Sequence, residues 1–137
     1  MMLSVEAQRL LRERLRTPEM LAAFLTMHAV PMQAWDAESL APRLGLDADV
    51  CRSMLERLVD LQLVQRVPVP LADRYLYGPG DEQTARATDE LARHYAEDRV
   101  AILRLLNAGA MDRVRAAARA LFGLSPDPDL NSEDKSR

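Results

Sequence analysis

The side chains best placed to do chemistry lie between Asp36 and Tyr77, and they are charged groups suited to gripping another charged surface. Residues Ala48 to Leu61 read as a helix whose Cys51, Met54, Leu55 and Leu58 repeat at i, i+3, i+4, i+7. That is the apolar stripe of a helix packed on one side. With the stripe inward, the outward face is centred on Asp49, Ser53, Glu56 and Asp60, flanked by Arg52 and Arg57. Guanidinium and hydroxyl groups on such a face can donate to phosphate oxygens and base edges, which carboxylates repel. Arg52 and Ser53 are therefore candidate contacts to double-stranded DNA, with Arg43, Arg66 and Arg74 on phosphates. Asp49, Glu56 and Asp60 oppose that use and suit a basic protein partner instead. From Asp36 to Arg66, four arginines stand against six acids. Two readings stay open: weak or conditional DNA binding, and a protein-interaction module built on an acidic helix.

Catalytic chemistry finds little support. His28 falls in a nearly all-apolar stretch and is expected to be packed, while His94 sits among charges and is expected to be solvated. Cys51 occupies a core position, where a buried, inert thiol is expected. Two histidines and one cysteine without paired spacing make no zinc site. Gly78-Pro79-Gly80 is a turn rather than a phosphate loop. No enzyme activity and no cofactor are expected.

The elements that must position the charged face are legible around it. Ala37 to Leu44 reads as a short helix, broken by Gly45-Leu46, with Asp47 as N-cap of the next. Leu63–Val67 and Arg74–Tyr77 read as strands around a turn at Pro68–Asp73. Ala34-Trp35 reads as a very short strand, with Trp35 a core anchor and Asp36 a cap.

Upstream, Ser4 to Arg16 reads as a helix with Leu3, Ala7, Leu10, Leu11 and Leu15 on its apolar side and Arg9, Arg12, Arg14 and Arg16 elsewhere. Thr17-Pro18-Glu19 restarts the chain as a helix to about Val30, apolar enough for a core or a subunit interface. Downstream, a long helix is expected from Asp81 to about Asn107, with Leu91, Tyr95, Ile102 and Leu106 on one side and Val100 and Leu103 widening the stripe. Two charge ladders, Glu82-Arg86-Glu90 and Asp89-Arg93-Glu97, mark its solvated face. Ala108-Gly109 is expected to break it before a last helix from Met111 to Phe122.

Ser39-Leu40-Ala41, Leu44-Gly45-Leu46-Asp47, Leu55, Leu58 and Leu61-Gln62-Leu63-Val64 resemble the general pattern of bacterial winged helix-turn-helix regulators, the MarR-like and ArsR-like groups being nearest. Tyr75-Leu76-Tyr77-Gly78-Pro79, Leu91 to Tyr95 and Val100 to Leu106 resemble a set of uncharacterised bacterial winged-helix proteins. The resemblance implies a mainly α fold with a small β-hairpin wing, a long C-terminal helix, and a role in transcription regulation. Gln62 departs from the pattern, because a glycine usually takes the left-handed position after the second helix.

With 137 residues and 48% apolar content, one core is the natural outcome. Residues 1–124 read as one winged-helix domain with flanking dimerisation helices, and 125–137 as a disordered tail rich in Pro, Asp and Ser. A net charge of −3 argues against a surface that grips nucleic acid all round. The lone cysteine allows no internal disulfide. Neither a signal peptide nor a membrane span is legible, so a cytoplasmic homodimer without membrane contact is expected.

Overall fold

The computed structural model describes residues 2–70 and 73–122, and in them six helices surround one β-hairpin. Helix α1 (Val5–Arg9) begins where the Ser4 hydroxyl accepts from the Ala7 amide, and it runs on as a π-helical segment, Leu10–Leu15. All five apolar residues expected on its inner side, Leu3, Ala7, Leu10, Leu11 and Leu15, are buried. Arg16 ends the segment with φ 71°. Helix α2 (Pro18–Ala29) starts at Thr17, whose hydroxyl accepts from the Met20 amide, and buries Met20, Leu21, Ala23, Phe24 and Met27. Its apolar surface is thus largely consumed inside this chain's own core.

Helices α3 (Ala37–Leu44) and α4 (Ala48–Asp60) form the expected pair. Asp36 and Ser39 cap α3 reciprocally, side chain to backbone in both directions. Gly45 leaves α3 at φ 69°, and the Leu46 amide returns to the Ala41 carbonyl at 3.0 Å. Asp47 then caps α4 through the Asp49 amide. Helix α4 closes the same way: Gln62 takes φ 62°, its amide reaches Val59, and the Leu63 amide reaches the Leu58 carbonyl at 3.0 Å. Gln62 therefore adopts the conformation a glycine would. Strands β1 (Val64–Pro68) and β2 (Asp73–Tyr77) pair antiparallel, Val64 opposite Tyr77 and Pro68 opposite Asp73. Trp35 adds a one-residue bridge to Tyr75, with reciprocal hydrogen bonds of 2.8 and 2.7 Å. Helix, turn, helix and hairpin in this order are the arrangement of a winged helix-turn-helix.

The C-terminal part differs from the sequence reading. Helix α5 (Glu82–Glu97) stops at Asp98, whose backbone leaves the helical region (φ −151°, ψ 80°). Helix α6 (Arg99–Phe122) starts there, with the Asp98 carboxylate accepting from the Ala101 amide at 3.1 Å. The break expected at Ala108-Gly109 is absent, because Gly109 serves inside α6 as a point of close approach. A Cβ there would stand 3.1 Å from the Arg12 side chain. Ile102 and Leu106 are buried as expected, whereas Val100 is exposed. The ladders are kept in part: Arg86 pairs with Glu82 at 3.7 Å, whereas Glu90 accepts from the amide and hydroxyl of Ser4, both at 2.7 Å, and Asp89 reaches His28. Among the described residues no helix is long and apolar enough to cross a membrane. The expected tail, 125–137, lies outside the described residues.

Candidate functional site

Helix α4 turns Cys51, Leu55 and Leu58 into the core and keeps Met54 half-buried, so its polar residues face outward as the stripe requires. Asp49, Arg52, Ser53, Glu56, Arg57 and Asp60 line one shallow open depression on that face. Five of the eight residues singled out from sequence meet here: Asp49, Arg52, Ser53, Glu56 and Asp60.

Their electrostatics are set by pairing. Arg52 is clamped between two carboxylates, at 2.6 Å from Glu38 on α3 and 2.8 Å from Asp49 one turn back. Arg66 on β1 joins the site through Glu56, donating from Nε at 3.2 Å and also from Nη2, with Asp73 at 3.7 Å. The Tyr75 hydroxyl donates to the same carboxylate. Glu56 thus ties the hairpin to α4. The bond from Arg66, then that from Tyr75, holds its carboxyl below the ordinary value. Burial, reinforced by Glu56, pushes the Tyr75 phenol up to about 12. Arg57 and Arg74 are exposed and form no ion pair among the described residues. Arg74 sits on β2 opposite Val67.

Arg43 is not part of this face. Its guanidinium lies 5.3 Å from the Trp35 ring centroid and borders a separate groove with Ala22, Tyr95 and Arg99. Trp35 is buried, the anchor expected of it. Cys51 is fully buried, and burial raises its thiol pKa, so thiolate chemistry is disfavoured. His28 is packed as expected, its Nε2 2.8 Å from Asp89 and its ring edge-on to Tyr77 at 5.2 Å. Among the described residues no group of three or more His, Cys, Asp or Glu side chains could hold a metal ion.

Two features escaped the sequence reading. Glu38 stands 14 positions from Arg52, so no helical spacing announces their pair. Likewise, Tyr75 as a donor to Glu56 depends on how the hairpin folds back onto α4. Comparison with known proteins matches this chain to no family, no curated protein and no solved structure.

Proposed function

We propose that this chain is a winged-helix regulatory protein, of the kind the MarR-like and ArsR-like resemblance implies, that binds duplex DNA weakly and conditionally as a homodimer. The observation that carries this reading is the outward face of α4 beside the hairpin, where Ser53, Arg57 and Arg74 stand exposed. Arg52 and Arg66 add to the grip when they leave their carboxylates, and exposed ion pairs are weak enough to exchange for phosphate. The acids remain on the face after the exchange, so affinity stays low. The dimer reading draws support from α6. Positions 100, 103, 107, 110, 114, 117 and 121 alternate by three and four, with Val100, Val114 and Leu121 exposed by 58, 61 and 75%. This is the spacing of a heptad repeat, with Asn107 at a position where one polar residue would fix register, while Leu103 within it packs on this chain's own core.

The ion pairing itself favours a second reading, a module that uses Asp49, Glu56 and Asp60 on a basic protein partner. Titration of labelled duplex DNA at several salt concentrations separates the two. Four arginines per subunit, Arg52, Arg57, Arg66 and Arg74, give a dimer a slope of log K against log salt of at most about −7. Asp49→Asn with Asp60→Asn should strengthen binding to any duplex, leaving Glu56 to hold the hairpin. If neither wild type nor this variant binds at low salt, DNA recognition by this face is refuted and the second reading stands.

A further inference from the structure

Lined by none of the residues on the α4 face, an open cleft of about 790 Å³ lies between α1 with its π-helical extension and the middle of α6. Its charge is opposite to that of the chain as a whole. Arg9, Arg12, Arg14, Arg16 and Arg113 line it against only Glu13 and Asp112, in a protein of net charge −3. We propose that this cleft is a binding site for a small ligand carrying two or more phosphate groups.

The argument rests on how the arginines are held. On α4, Arg52 is positioned by carboxylates, which cancel its charge. In the cleft, two of the anchors are neutral backbone carbonyls. Arg113 donates from Nη1 to the Arg12 carbonyl at 2.7 Å, and Arg16 donates from Nε to the Glu13 carbonyl at 3.1 Å. A carbonyl orients a guanidinium without neutralising it, and it leaves most of the five N–H donors free. Arg12 does meet an acid, Asp112 at 2.6 Å, and that bond braces α1 against α6. Arg9 forms no ion pair among the described residues. Arg14 is different: it turns to the Leu61 carbonyl and to Thr84, so it holds the fold together.

The backbone around the cleft is specialised to match. The π-helical turn and the positive φ of Arg16 redirect side chains that a regular helix would carry elsewhere. Gly109 lets Arg12 cross α6 closely, which sets the depth of the floor. Oriented, uncancelled guanidinium groups are the chemistry that recognises phosphate in bidentate fashion. The volume falls within the range of small-molecule sites.

Calorimetric titration with inorganic tripolyphosphate, at constant ionic strength set by chloride, tests the assignment. Wild type should bind saturably. Arg113→Gln and Arg16→Gln should each weaken binding by roughly tenfold or more. Arg9→Gln should also weaken it, and among the described residues that side chain has no ion-pair or hydrogen-bond partner whose loss could disturb folding. Arg93→Gln on α5, outside both this cleft and the α4 face, should change nothing. Absence of saturable binding, or equal losses in Arg93→Gln, would overturn the proposal. So would duplex DNA that depends on Arg16 and Arg113 while tripolyphosphate does not bind, because the cleft would then serve a nucleic-acid surface.

Discussion

Replacing Tyr75 by phenylalanine tests the idea that one carboxylate docks the hairpin onto α4. The Tyr75 ring is buried, and its hydroxyl donates to Glu56, which also receives Arg66. A hydrogen bond to an ionised acceptor contributes roughly 1.5–3 kcal/mol. The Glu56 side chain is 38% exposed, so solvent screening brings the expected loss to about 1–2 kcal/mol. With a urea slope of about 1–3 kcal/mol per molar, the unfolding midpoint of Tyr75→Phe should fall by roughly 0.5–1 M at neutral pH. The difference should depend on pH with a definite sign. Glu56 has a lowered folded pKa, so its contribution is present above the unfolded value and lost as pH falls through the folded one. The gap between wild type and Tyr75→Phe should therefore close in acid. Tyr75 and Tyr77 both have raised folded pKa values, so stability should fall as pH climbs above 10.0, and the wild type, which carries both, should lose more than Tyr75→Phe as pH rises towards about 12. A Glu56→Gln, Tyr75→Phe double-mutant cycle should give a coupling of about 1 kcal/mol. Coupling near zero, or a midpoint unchanged at neutral pH, would refute this account of the wing.

Gln62→Gly should stabilise the protein by about 0.5–1 kcal/mol in the same assay. A left-handed residue costs roughly 1–2 kcal/mol when it carries a Cβ, and glycine returns part of that through the unfolded chain. A destabilised Gln62→Gly would mean that the exposed Gln62 side chain makes contacts worth more than the backbone relief. For the α6 seam, sedimentation of the wild type at micromolar concentration should give more than the 15.4 kDa monomer mass. Val114→Glu with Leu121→Glu should weaken association by roughly 100-fold or more. A monomeric wild type would remove α6 as a dimer interface.

Local chemistry wrote much of this fold directly into the sequence. The stripe of Cys51, Leu55 and Leu58, the caps at Ser4, Thr17, Asp36 and Asp47, and the hairpin depend on neighbours within a few residues. At position 62 the sequence showed only that Gln62 stands where the resembled pattern has glycine; that it still takes the left-handed conformation was decided by the way α4 runs into the hairpin. Asp98 was not legible: a carboxylate after Glu97 serves equally as a ladder member or as a cap, and only the docking of α5 and α6 chose the cap. Gly109 misled for a related reason, because its small size answers to Arg12, nearly a hundred positions away, rather than to its own helix. The charges depended most on the tertiary structure. Sequence supplied the arginines, but whether each meets a carboxylate, as Arg52 does, or a carbonyl, as Arg113 does, follows from distances across space. Coulomb energy and hydrogen bonding fall off over a few ångströms, and those ångströms exist only once the chain has folded.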